Sequence, residues 1–168
     1  MSACSDVLPD TSLPAAGWRC KTCGGLIRRI EDGWVEWLTS EDENGRAMNG
    51  GIQLVHRRTA GSIDSGCQYD AELEFRRDKS LVEGLPLERF TGPDGLMLLM
   101  SLIASGEAAA ADLIELAKRV QIPGYEQARD AFQLAIDCGL VLPAIGNGFY
   151  LQSEIRAVLR WLPGVRRT

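Results

Sequence analysis

Cys20 and Cys23 stand two residues apart, Gly24 and Gly25 follow directly, and His56 and Cys67 lie downstream. Two thiolates at that interval can grip one metal ion from a single tight turn. Glycine after the second cysteine lets the backbone take positive φ and aim N–H groups at the sulfurs. The other intervals, 32 residues from Cys23 to His56 and 10 from His56 to Cys67, are permissive. Cys20, Cys23, His56 and Cys67 together make a Cys3His donor set, which in structural sites is tetrahedral and closed. Zn2+ suits it better than iron, for which Cys3His is a less usual mononuclear set. His56 is the sole histidine, and Asp64 is the alternative fourth ligand.

Two other chemistries compete for the same residues. Thiol exchange at a Cys-x-x-Cys pair needs the first cysteine at a helix start, where the dipole lowers its pKa. Gly24-Gly25 argues against a helix there. A catalytic metal would keep one position open beside a base, and Glu31 or Glu36 is within reach in sequence. Nothing in the spacing selects either, so no catalytic residue is assigned and the chain is expected not to be an enzyme. Of the remaining cysteines, Cys4 lies in a polar leader and is expected to be a loose thiol, while Cys138 fits a small buried hydrophobe.

The 168 residues are 45% hydrophobic and 24% charged, an ordinary globular composition with room for one mid-sized or two small domains. A net charge of −5 excludes a protein that coats nucleic acid through bulk positive charge. No apolar run approaches the roughly 20 residues of a membrane-spanning helix, and the first residues show neither a basic nor an apolar targeting region. A cytoplasmic protein without membrane contact is expected. An odd cysteine count, five, then favours metal ligation over a disulfide framework.

The elements that must position the ligands fall into an α+β order. Residues 1–16 show no periodicity and predict a disordered leader. Residues 17–80 predict a small zinc-binding β domain. In it Leu26 to Ile30 and Trp34 to Leu38 form a hairpin about Glu31-Asp32-Gly33, and Thr39 to Gly51 forms an acidic, glycine-punctuated loop. Ile52 to His56 is a further short strand. From Tyr69 to Arg76 the alternation has period two and favours another, while the Glu and Ala propensities leave a helix open. Gly84, Pro86, Gly92 and Pro93 mark 81–93 as a linker. Residues 94–168 predict a mainly helical domain: Asp94 to Ala104, apolar nearly all round and so buried on most sides; Ala109 to Val120; and Tyr125 to Cys138, capped by Gly139. A β-hairpin follows, Leu140 to Leu142 and Phe149 to Leu151 about Gly146-Asn147-Gly148, and a last helix from Ser153 ends at Pro163.

Residues 18–25 resemble the zinc knuckle of the zinc-ribbon and rubredoxin type, although the second Cys-x-x-Cys of that pattern is absent. The order helix, helix, short turn, helix, hairpin over 94–162 resembles a winged helix-turn-helix, with Ala109 to Val120 as supporting helix and Tyr125 to Cys138 in the recognition position. That resemblance implies DNA binding with the third helix in the major groove. It makes Gln127, Arg129 and Gln133 candidate groove contacts and Arg119 a backbone contact, and implies a DNA-associated role in transcription regulation. The expected solvent face, Glu126, Gln127, Arg129, Asp130, Gln133 and Asp137, carries more acids than bases. An acidic face of that kind fits a protein-interaction adaptor instead, with a metal or thiol enzyme as the remaining alternative.

Overall fold

The computed structural model describes residues 17–58, 66–142 and 148–165. The expected leader, 1–16, and the tip of the expected wing, 143–147, lie outside the described residues. Helices mix with two small antiparallel sheets, and the chain divides after Gln121 into two compact units. The division does not fall in 81–93.

The first unit, Gly17–Gln121, opens with β1 (Trp18–Arg19), which pairs with β2 (Leu26–Ile27) as Trp18↔Ile27 and Arg19↔Leu26. Leu26 therefore turns back toward the knuckle and forms no hairpin with Trp34. Ile30–Asp32 is a single 3-10 turn leading into β3 (Gly33–Glu41). Strand β3 is the centre of the second sheet, between β4 (Ala47–His56) and β5 (Leu81–Pro86), both antiparallel to it.

The acidic stretch expected as a loop is mostly strand. Only Asp42 to Arg46 turns: the Asp42 carboxylate accepts from the N–H groups of Asn44 and Arg46, and Gly45 takes φ 75°. A solvated hairpin end needs no apolar face, so polarity misled the sequence reading. Residues 81–93 likewise hold β5 and a 3-10 turn, Leu87–Phe90, with Leu87 and Phe90 fully buried. Gly84, which suggested a linker, is required by packing, because a Cβ there would collide with the Trp34 indole and the Val35 carbonyl.

The expected strand from Tyr69 is helix α1 (Ala71–Asp78). Asp70 caps its first turn by accepting from the N–H groups of Glu72 and Leu73, and Lys79 closes it in the left-handed region at φ 65°. Alternation failed as a guide because it does not sort burial here. Leu73 and Phe75 are exposed, whereas Glu74 is buried and paired with Arg77.

Strand alternation divides the β4-β3-β5 sheet into two faces. Val35, Trp37 and Ile52 line one of them, together with Phe90 and with residues of α2 (Gly92–Ser105) and α3 (Ala110–Gln121), among them Leu102, Leu113 and Leu116. The core of this unit gathers Cys20, Ile27, Val35, Leu54, Phe90 and Leu99. Helix α2, expected to be buried on most sides, is buried on one: Leu99 is inaccessible, while Leu96, Met97 and Met100 are exposed.

The second unit has α4 (Tyr125–Ala128), a 3-10 turn over Arg129–Ala131, α5 (Phe132–Asp137) and α6 (Gln152–Val165). The expected third helix is thus one interrupted helical segment, and Gly139 follows it at φ 71°. Leu140–Leu142 and Phe149–Leu151 are not strands. Phe132 stacks on Tyr150 at 3.6 Å in a core with Tyr125, Ala128, Ala135, Ile155 and Val158. Cys138, expected as a small buried hydrophobe, is half-buried. Helix α6 runs past Pro163 to Val165. Of the expected winged-helix elements, α2 and α3 belong to the first unit and α4 to α6 to the second.

Gly95 gives a test of the packing at the start of α2. Alanine for glycine inside a helix ordinarily stabilises by about 1 kcal/mol. Here a Cβ would meet the backbone of Phe90. Gly95→Ala is expected to destabilise by about 1–3 kcal/mol, read as a lower urea midpoint; a raised midpoint would contradict this packing.

Candidate metal centre

The knuckle is built by its own hydrogen bonds. The Cys20 N–H donates to the Gly25 carbonyl at 2.9 Å, and the Gly24 N–H returns to the Cys20 carbonyl at 3.0 Å. Closing so tight a turn puts Gly24 at φ 70°. The Gly25 N–H then points at Cys23 Sγ, 3.4 Å away. A side chain at Gly25 would press on Cys23 Sγ at 3.2 Å and on the His56 ring at 3.4 Å, so this glycine leaves the room the two ligands occupy.

Other contacts bring the remaining ligands to the knuckle. The Lys21 N–H donates to the Leu54 carbonyl at 2.9 Å, tying the turn to β4 two residues before His56. His56 is the last residue of β4 and pairs with Gly33. Cys67 is held from both sides: the Thr22 hydroxyl donates to its carbonyl at 2.6 Å, and the Tyr69 N–H donates to Glu36 Oε1 at 2.8 Å. The Gln68 side chain also accepts from the Arg58 N–H at 2.9 Å.

The result is a cluster in which one donor atom from each of Cys20, Cys23, His56 and Cys67 lies within 4.8 Å of the others. His56 Nδ1 is 3.5 Å from Cys23 Sγ and 3.7 Å from Cys67 Sγ. A tetrahedral ion held about 2.3 Å from sulfur and about 2.0 Å from nitrogen sets sulfur–nitrogen edges of about 3.5 Å. These four side chains fit that arrangement and could hold a metal ion. Cys20 is in the core, His56 and Cys67 are half-buried, and Cys23 is exposed.

The thiols are not equivalent. Burial alone would push Cys20 up, but the backbone N–H groups of Cys23, His56 and Thr22 outweigh it and bring Cys20 down to about 6. Cys67 goes the other way, pushed up to about 12, first by burial and then by the neighbouring sulfurs of Cys23 and Cys20. Protein groups alone therefore keep Cys67 protonated near neutral pH, and a cation is needed before it joins as thiolate.

A scan of protein families, a search of curated proteins and a search of solved structures found no match to this chain.

The other residues singled out from the sequence are dispersed. Asp64 lies outside the described residues. Glu31 is exposed and pairs with Arg29. Glu36 is fully buried and turned to Gln53 and Tyr69, where it positions the Cys67 segment without serving as a base at the sulfurs. Arg119, in the first unit, donates to the Arg19 carbonyl at 2.8 Å. Gln127, Arg129 and Gln133 are in the second. There Arg129 is paired with Glu126 and Asp130, and Gln133 donates to Asp137 at 2.9 Å. Glu126, expected on the solvent face, is buried.

Sequence reasoning missed Thr22 and Glu36 as posts for Cys67. Thr22 lies inside the Cys-x-x-Cys turn and was open to notice. Glu36 was not, because a carboxylate at the centre of an apolar strand gives no sign of which backbone N–H it will meet.

Metal binding must displace the Cys67 proton. Titration calorimetry with Zn2+ in two buffers of different ionisation enthalpy at pH 7 should show release of at least about one proton per ion, and affinity should fall as pH falls. Proton-neutral binding would contradict the assigned thiol states.

Proposed function

We propose that this chain is a zinc-stabilised cytoplasmic binding protein, not an enzyme, that associates with DNA in a regulatory role. The observation that carries the metal reading is the donor set itself: three cysteines and a histidine converge within 4.8 Å. Four protein donors complete the tetrahedron of Zn2+, which leaves the ion a structural role. Among the described residues, no helix is long and apolar enough to cross a membrane.

The DNA reading draws its support from the first unit. Arg119, singled out as a phosphate contact, lies at the base of the knuckle on the Arg19 carbonyl. Gln127, Arg129 and Gln133 remain proposed contacts of lesser weight, since Arg129 and Gln133 already engage acidic neighbours. One observation favours the second reading, a protein-interaction adaptor: Leu96, Met97 and Met100 are exposed on α2, and adjacent methionines make an adaptable apolar contact surface.

Fluorescence anisotropy with labelled duplex DNA separates the readings. Metal-loaded protein should bind with steep salt dependence, and protein stripped by a chelator should not. Equal binding by both forms would sever the metal from the function, and no binding by either would favour the adaptor.

A further inference from the structure

The net charge of the chain is −5, yet the sequence around the four ligands is positive. Over residues 17–35 and 52–68 the basic side chains are Arg19, Lys21, Arg28, Arg29, Arg57 and Arg58, against Glu31, Asp32 and Asp64. The fold brings Arg19, Lys21, Arg57 and Arg58 to the metal end, and Arg28 leaves the far end of the β1–β2 pair, just beyond Ile27. Arg19 and Lys21 flank Cys20, and Arg57 and Arg58 follow His56. Arg28 follows β2, which pairs back onto β1, and the Arg57 N–H donates to the Asp32 carbonyl at 2.7 Å.

Lys21, Arg28, Arg57 and Arg58 are exposed, and no described carboxylate pairs with any of them. Arg29 does pair, with Glu31 and Asp32. The Arg57 guanidinium lies over the Trp34 ring, 5.5 Å from its centroid, so an aromatic face orients that cation, and no described carboxylate forms an ion pair with it.

We infer that this collar of cations around the metal knuckle, centred on Lys21, Arg28, Arg57 and Arg58, is a nucleic-acid phosphate-binding surface. The inference rests on the DNA-associated reading and moves the principal contacts from α4 and α5 to the metal end. Composition decides between a polyphosphate and an acidic protein. A protein interface is built on apolar and aromatic anchors at its centre. None of the exposed large hydrophobic side chains among the described residues falls within 17–35 or 52–68. Duplex DNA presents one charge per about 1.7 Å of axis, so cations on separate segments can each find a phosphate. The metal fixes where those cations stand, because Lys21 lies inside the knuckle and Arg57 and Arg58 leave directly from His56.

The test is binding of a fluorescein-labelled, mixed-sequence DNA duplex to the metal-loaded full chain across a salt series. The variants are Arg57→Ala/Arg58→Ala and, independently, Lys21→Ala/Arg28→Ala. Each pair should weaken binding at least about tenfold at low salt and lower the salt slope by about two. Arg156→Ala, a change at an exposed position of the second unit, should leave binding as in the wild type. Retention of the Co2+–thiolate absorption band in each variant shows that the metal end is intact, and if one pair loses the band the other decides. Wild-type binding that both pairs retain would overturn the collar assignment while leaving the DNA reading standing. Absence of wild-type binding at low salt would overturn both. Displacement of the duplex by polyglutamate as readily as by unlabelled duplex would replace nucleic acid with an acidic protein partner.

Discussion

Three sulfurs and an imidazole nitrogen held within 4.8 Å of one another set the terms for the first unit. Burial and the neighbouring sulfurs of Cys23 and Cys20 push the Cys67 thiol up to about 12 in the absence of a cation. With a cation, the same proximity becomes an attraction that joins the knuckle, the end of β4 and the segment before α1. None of these pieces is long enough to hold itself. The β1–β2 pair has two residues a side, and an isolated hairpin of that size is not stable in water.

Cys20 shows how metal binding and core packing depend on each other. It is one of the four donors that could hold a metal, yet it is 2% exposed and packs in the cluster that contains Val35, Leu54, Phe90 and Leu99. Ordering the metal site therefore orders one corner of the hydrophobic core, and binding free energy becomes folding free energy. Glu36 extends the same coupling to the sheet. Its carboxyl Oε1 accepts from Gln53 and from the Tyr69 N–H, so a buried side chain at the centre of β3 holds the backbone two residues beyond Cys67. Both of these bonds fall on Oε1, and the buried Oε2 is left with no hydrogen-bond partner.

The ligand cluster was legible because its signal is chemical: the cysteine interval fixes the turn, and the single histidine and the next cysteine leave little choice for the rest. The topology around it was less legible. Glycine and proline in 81–93 mark a punctuated chain equally well whether they break an element or clear space for a neighbouring indole, as Gly84 does for Trp34. Period two at Tyr69 to Arg76 was outweighed by capping chemistry at Asp70 and Lys79. The charge collar was visible in composition only locally, since the acidic total hid it and the convergence of Lys21 with Arg57 and Arg58 depends on the pairing of knuckle to β4. The proposed contacts on α4 and α5 rested on element order, which does not reveal that Glu126 turns inward.

Metal content of the purified chain, measured together with its thermal unfolding, decides whether a metal holds the first unit together. One Zn2+ per chain is expected in the wild type, with its loss or sharp weakening in His56→Ala and Cys67→Ser, and in both variants a lower unfolding temperature that added zinc does not restore. A wild-type chain that folds with no bound metal, and whose unfolding temperature is indifferent to both substitutions, would contradict a metal-held first unit and leave Cys20 and Cys23 as a thiol pair.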